Sequence, residues 1–171
     1  MDPNSASKFA AELIAELRKG PISPERAKEY SSRPWIDYLR EHSTIDDLNA
    51  ISAWIKTTEN EDLIELCIGV ARNLTPEDFI PFVKSVLSGT PGLSLRISAV
   101  LYLASKGLMS EEDWTTQAID MRKEPDELLS VAKYFYGAKD NFELKAQINK
   151  RQVSGDYAYN EPYYKLLLNL I

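Results

Sequence analysis

The sequence contains one cysteine and one histidine, and this scarcity narrows the chemistry open to the chain. A lone Cys67 excludes an internal disulfide, so the sequence does not indicate an oxidising compartment. Any Ser-His-Asp or Cys-His catalytic arrangement would have to use His42. We expect structural roles for both residues. His42 lies near the predicted C-terminal end of a helix, where a cation is favoured, and Cys67 lies in an apolar helix as a packing thiol.

Metal-binding and phosphate-binding motifs are also missing. The sequence has no CxxC, no HExxH and no Asp-rich calcium loop. Residues Gly89–Gly92 lack the lysine and the spacing of a phosphate-binding loop. The acid pairs Asp46-Asp47 and Glu61-Asp62 could ligate Mg²⁺ or act as a carboxylate pair, but both stand at predicted helix starts, where acids are common for local reasons. We therefore expect no catalytic centre, no metal and no cofactor.

Long apolar runs are absent as well. The longest, such as Ala99–Ala104, are far too short to span a bilayer. Residues Met1–Ser5 lack the basic segment and apolar run of a secretory signal. A chain of 171 residues is large enough to bury a hydrophobic core without disulfides or structural metal ions. We expect a single cytoplasmic domain over residues 1–171 that makes no contact with a membrane.

Three short phrases with the same order of residue types recur along the chain. They are Thr44–Leu48, Thr75–Phe79 and Ser110–Trp114. Each places a hydroxyl residue at a helix N-cap, an acid three residues later and a large apolar anchor next. This order satisfies the first backbone N–H groups of a helix and complements its dipole. The anchors are 31 and 35 residues apart, which predicts one helical hairpin for each phrase.

Helix signals recur along the whole sequence, and no alternating strand pattern interrupts them. Glycine and proline stand almost only at the predicted boundaries. The sequence thus predicts an all-α fold of about nine or ten helices. Helices over residues 1–43 come first, three hairpins follow over 44–138, and capping helices complete the chain over 139–171. The second helix of each hairpin is apolar nearly all round, which predicts burial between layers.

Hairpins with buried second helices resemble the HEAT and armadillo-like family of helical solenoids, over residues 44–137. The anchor spacing is shorter than the about 40–47 residues of HEAT repeats and nearer the about 34 and 33 of tetratricopeptide and ankyrin repeats. The sequence patterns of those two repeats are missing. The resemblance implies a right-handed stack of antiparallel helical hairpins, either a HEAT-like solenoid or an orthogonal helix bundle. It also implies that one face of the stack binds other macromolecules.

Negative charge is concentrated in one part of the sequence. Nine of the 26 acidic residues but only two of the 20 basic residues lie between Glu41 and Asp78, so this acidic stretch carries −7 and the remainder +1. Clustered charge of one sign steers oppositely charged partners and repels phosphate. Helix capping accounts for about half of these acids. The candidate partner-binding residues in the acidic stretch are Asp46, Asp47, Glu59, Glu61, Asp62 and Glu65.

A tyrosine-rich segment near the end of the chain is the second candidate interface. Tyrosine offers a large contact area and a hydroxyl at low entropic cost. Tyr157 and Tyr159 lie in a predicted loop, which favours an interface, and we count both as candidate partner-binding residues. For Tyr163 and Tyr164, an interface and packing of the terminal helix onto the third hairpin are equally consistent with the sequence.

These observations favour a non-catalytic protein-binding module whose acidic face engages a basic protein. One concrete form is a bacterial immunity or inhibitor protein that neutralises a basic toxin or nuclease. An alternative is a HEAT-like nucleic-acid-acting protein or an enzyme with a groove between repeats. Nucleic-acid binding needs a basic stripe, and the only basic run (Lys139, Lys145, Lys150 and Arg151) is interleaved with acids. Another alternative is a structural adaptor that associates with itself. The oligomeric state is left open.

Overall fold

Helices are the only regular elements in the described part of this computed structural model. The structure describes residues 8, 11–16, 19, 23, 42, 44, 46, 47, 61–71, 79–155 and 158–171. The helices are α1 (Glu61–Val70), α2 (Phe79–Ser88), α3 (Leu93–Ser105), α4 (Glu111–Met121), α5 (Pro125–Tyr136), α6 (Asn141–Ser154) and α7 (Glu161–Leu168), with a 3₁₀ turn at Ala158–Asn160. Residues 11–16 are also helical. The all-α prediction is confirmed.

The helix ends follow local chemistry. α4 begins after the N-cap Ser110, as predicted, and α5 has Pro125 in its first turn, where the missing N–H costs nothing. α6 begins after Asp140, whose side chain accepts the backbone N–H of Glu143 at 2.8 Å. Gly107 follows the end of α3, and Gly137 caps α5, with left-handed φ angles of 69° and 65°. Only glycine adopts this conformation readily, which explains why the helices stop there.

The chain divides into two compact units, Met1–Tyr102 (unit 1) and Leu103–Ile171 (unit 2), and the division falls within α3. The prediction of a single domain stays a prediction. In unit 1, Phe79 is fully buried, and its ring meets that of Tyr102 edge-on at a centroid distance of 5.4 Å. The buried residues of α3 extend around more than half of its circumference, and its burial between layers of hairpins stays a prediction. These buried residues are Leu95, Ile97, Ala99, Val100, Tyr102, Leu103 and Ala104.

Unit 2 is built on the packing of α5 against α6 and of α7 against both α6 and α4. Leu128 and Ala132 of α5 and Leu144 and Ile148 of α6 are buried in it. α7 thus packs on α4, the first helix of the third predicted hairpin, and the stacking of the hairpins themselves stays a prediction. None of the helices in the described ranges is long and apolar enough to cross a membrane.

Candidate partner-binding site

Asp47 closes a capping box at the start of the acidic stretch. Its Oδ2 accepts hydrogen bonds from the backbone N–H and the Oγ1 hydroxyl of Thr44, both at 2.8 Å. The backbone N–H of Asp47 donates in return to Thr44 Oγ1 at 3.2 Å. Asp47 is 1% exposed, so its carboxylate stabilises the helix start. Its predicted contact with a partner is not tested by this geometry.

The phrase at Ser110 forms the same box. Asp113 Oδ2 accepts from the backbone N–H of Ser110 at 2.9 Å and from its hydroxyl at 2.7 Å, and the Asp113 N–H donates to Ser110 Oγ at 3.1 Å. The phrase at Thr75 lies outside the described residues. Two copies of the phrase in different chemical surroundings make the same bonds, so the phrase specifies helix starts.

Glu61 and Glu65, one turn apart on α1, both reach the N-terminus of α3. The two carboxylate oxygens of Glu61 share the backbone N–H of Gly92, at 3.1 and 3.0 Å. Glu65 Oε2 accepts the hydroxyl of Ser94 at 2.6 Å. The first N–H groups of a helix lack partners in the helix itself and attract negative charge. The two acids therefore tie α1 to α3, a role that the sequence analysis missed.

A signal for this contact was present in the sequence. Acids at positions i and i+4 share one helix face, and Gly92 and Ser94 start the next predicted buried helix. An acid-bearing face and an uncapped helix start, however, are 31 residues apart. Only the tertiary structure, which brings Glu61 and Glu65 to the start of α3, shows that the acids serve this helix start.

We expect Gly92→Ala to change its effect with the residue at position 61. A Cβ on Gly92 would lie 2.6 Å from Glu61 Oε2, so the carboxylate must move away and its bond to the backbone is lost. In a Glu61→Ala background that obstacle is gone, and the alanine loses only the preference of an N-cap for glycine, so its cost should be small. In the wild-type background the lost hydrogen bond of Glu61 adds to this cost. Urea denaturation of both single variants and the double variant measures the coupling; additive effects would contradict the contact.

The other candidate partner-binding residues do not share one location in the structure. Asp46 is helical and exposed, and Asp62 lies in α1. Glu59 and Tyr157 lie outside the described residues. Tyr159 stands in the 3₁₀ turn and is half-buried. The structure therefore brings Glu61 and Glu65 together on α1, with Asp62 between them in sequence, and their contacts with a partner stay predictions.

Tyr163 and Tyr164 belong to the core of unit 2, with 0% and 1% exposure. The ring of Tyr164 lies 6.1 Å from that of Tyr136, and the guanidinium of Arg151 covers the Tyr136 ring at 4.9 Å. Burial raises the pKa of Tyr163, and the neighbouring Tyr164 adds to the increase. The sequence leaves open whether Tyr163 and Tyr164 form an interface or pack the terminal helix. Because both side chains are buried, the structure favours packing.

The single cysteine and the single histidine lie in different surroundings, one buried and one exposed. Cys67 is 2% exposed and burial raises its pKa, which disfavours the reactive thiolate. His42 is exposed and helical. Within the described ranges, no group of three or more histidine, cysteine, aspartate or glutamate residues is arranged to hold a metal ion.

Unit 2 carries large apolar side chains that are exposed to solvent, which the sequence pattern did not indicate. Across the described residues, the large apolar side chains that face solvent all belong to unit 2. They are Leu108, Ile119, Tyr134, Phe142 and Val153. Phe142 and Val153 of α6 are the most exposed, at 81% and 89%.

Comparison with known proteins adds no relative: no family model, no curated protein and no solved structure matches the chain.

Proposed function

We propose that the chain is a protein-binding module whose acidic stretch engages a basic partner protein. The observation that carries this proposal is the charge asymmetry: residues Glu41–Asp78 hold −7, whereas the rest of the chain holds +1. A field of one sign raises the association rate of an oppositely charged protein and disfavours partners of like charge. A concrete instance is a bacterial immunity or inhibitor protein that covers the positive active site of a toxin or nuclease.

The hydrogen bonds within unit 1 indicate which acids of the acidic stretch also have a structural role. Asp47 stabilises a helix start, and Glu61 and Glu65 join α1 to α3. These carboxylates still contribute to the negative field, because a hydrogen bond from a neutral donor leaves their charge in place. Asp46 is exposed and lies beside the capping box without closing it. In this proposal Asp46 contacts the partner directly, while the other three acids combine a structural and an electrostatic role.

We also propose that successive hairpins stack in the right-handed, HEAT-like manner that the sequence pattern implies, and present the acidic stretch on one face. The repeated capping boxes at Thr44 and Ser110 support a repeated unit. Packing of α7 onto α4 supports the capping of the third hairpin by the terminal helices.

Reversing one exposed charge tests the proposal. We expect Asp46→Lys to weaken capture of the partner from the native cell by about three- to tenfold at low salt, since it removes an acid and adds a base to the contact field. The residual binding should depend less steeply on salt. Capture with the tagged chain at several salt concentrations, followed by titration of the purified partner, measures both effects.

Glu112→Lys is the matched control for this experiment. Glu112 is exposed and stands two residues after the N-cap Ser110, as Asp46 stands two residues after Thr44. Both reversals oppose a helix dipole equally, but only Asp46 lies in the acidic stretch. Equal losses for the two variants would contradict the proposal. Tight, salt-sensitive binding of labelled nucleic acid by the wild-type chain would favour the nucleic-acid alternative instead.

A further inference from the structure

The outer face of α6 carries a second regular pattern besides its core face. Leu144 and Ile148 are buried on one side of the helix. On the opposite side, Phe142, Ala146, Asn149 and Val153 are all exposed, and 100° of rotation per residue places them within about 60° of one another. We call these four residues the outer seam. It extends along about 16 Å of the helix.

The spacing of the outer seam is that of a coiled coil. Steps of four, three and four residues place Phe142 and Asn149 at d positions and Ala146 and Val153 at a positions of a heptad. Such a seam packs against a second helix. The flanking e and g positions, which pair across such an interface, are held by Glu143, Lys145, Lys150 and Gln152.

The flanking charges decide which helix fits. In a parallel pair of α6 helices, g faces e, so Lys145 would meet the partner's Lys150 on both sides of the seam. In an antiparallel pair, e faces e and g faces g. Lys150 then meets the partner's Glu143, and Lys145 meets the partner's Gln152. Two opposite-charge pairs form in the antiparallel arrangement, and no like charges meet.

The seam residues are complementary in the same arrangement. Phe142 lies opposite the partner's Val153 at both ends, and the small Ala146 leaves room for the partner's Asn149 in the two central layers. A two-fold axis passes between these central layers, so the same patch serves both copies, as in a closed dimer. Glu143 accepts the backbone N–H of Lys139 at one oxygen, at 2.8 Å, and a carboxylate has further acceptor sites for a lysine.

We propose that the outer seam of α6 is a self-association face, and that its partner is α6 of a second copy of this chain, packed antiparallel across a two-fold axis. A contact of three helical turns is smaller than the about 1,600 Å² of a standard interface, so the dimer is weak and dependent on concentration. This inference rests on unit 2 alone and is independent of the proposed binding of a basic protein.

Sedimentation velocity of the purified 171-residue chain across two decades of concentration tests the inference. We expect the sedimentation coefficient of the wild type to rise with concentration towards that of a dimer. Phe142→Ser and Val153→Ser should each weaken the dimer by about tenfold or more, because each removes two layers of apolar contact. Ile119→Ser, which alters an exposed apolar residue on α4 (57% exposed), should leave the dimer unchanged.

Charge variants separate the two orientations. Lys150→Glu should weaken an antiparallel dimer, since it opposes the partner's Glu143, whereas it would strengthen a parallel one. Lys145→Glu should leave the antiparallel dimer nearly unchanged and would likewise strengthen a parallel one. Asn149→Cys should form a disulfide-linked dimer on oxidation, because the two copies of this residue lie close to the two-fold axis. The native Cys67 is buried and should not compete for this disulfide.

A wild-type chain that stays monomeric at the highest concentration would overturn the inference. So would a dimer that the two seam variants do not weaken. A dimer strengthened by Lys150→Glu would show the opposite helix orientation and would contradict the proposed arrangement. None of these outcomes bears on the binding of a basic partner, which is measured separately through Asp46.

Discussion

Replacing Phe79 with alanine is expected to lower the free energy of unfolding by about 3–5 kcal/mol. Phe79 is the first residue of α2 and is fully buried. Its ring packs edge-on against Tyr102 of α3, with centroids 5.4 Å apart and ring planes at 77°. Removing the ring loses the transfer free energy of the side chain and leaves a cavity against a second aromatic ring. Urea denaturation followed by far-UV circular dichroism measures the loss.

Phe82→Ala is the matched control on the same helix. Phe82 also contacts the Phe79 ring, at a centroid distance of 6.0 Å, but it is only half-buried. We therefore expect a clearly smaller loss, on the order of 1–2 kcal/mol. If both substitutions cost the same, Phe79 does not hold the central place in unit 1 that its burial indicates. Because the apolar anchor of the second capping phrase is Phe79, this comparison also tests the anchor role that the sequence predicts.

The second large effect is expected in alkaline solution. Above about pH 9 the free energy of unfolding should fall by up to about 1.4 kcal/mol per pH unit through Cys67 alone. Burial raises the pKa of this thiol above its ordinary value of 9.0. The folded chain keeps the proton while the unfolded chain releases it, so the unfolded state binds fewer protons and gains stability as the pH rises. Below pH 9 the Cys67 thiol is protonated in both the folded and the unfolded chain, so it no longer makes the free energy of unfolding depend on pH.

Cys67→Ala isolates this contribution. The variant should be less stable than the wild type at pH 8, because a buried side chain becomes smaller, but its stability should fall less steeply between pH 9 and pH 11. Titrating lysines contribute equally to both proteins and cancel in the difference. Tyr163→Phe should flatten the curve in the same way, starting about one pH unit higher because the ordinary pKa of tyrosine is 10.0. Parallel curves for wild type and Cys67→Ala would show that the thiol titrates normally and is accessible.

Local sequence chemistry accounts for several of the helix ends. Ser110 and Asp113, Asp140 and Glu143, and the glycines at 107 and 137 lie within a few residues of the groups they satisfy. A capping bond depends on neighbours in the chain, so it can be read from the order of residue types. The all-α class follows from the same signals, since each segment between two caps has a helical pattern of apolar residues.

Contacts between helices could not be predicted from those signals. The clustered negative charge predicts that Glu61 and Glu65 belong to a partner-binding face, but their carboxylates bind Gly92 and Ser94 at the start of α3. An exposed acid and an acid that caps a distant helix have the same sequence signature. The choice between them depends on whether the fold brings α1 to the start of α3, which involves residues about 30 positions apart.

The sequence by itself determined that the chain is helical, that α4 begins after Ser110, and that its negative charge is concentrated between Glu41 and Asp78. These properties depend on composition and on neighbouring residues. The tertiary structure decided which of two similar faces is buried. Tyr163 and Tyr164 pack in the core of unit 2, whereas Phe142 and Val153 face solvent on α6. All four are large side chains within helices, and only the packing of α7 on α4 and α6 shows which of them are buried. Burial of a side chain is a property of its surroundings, and no local pattern contains it.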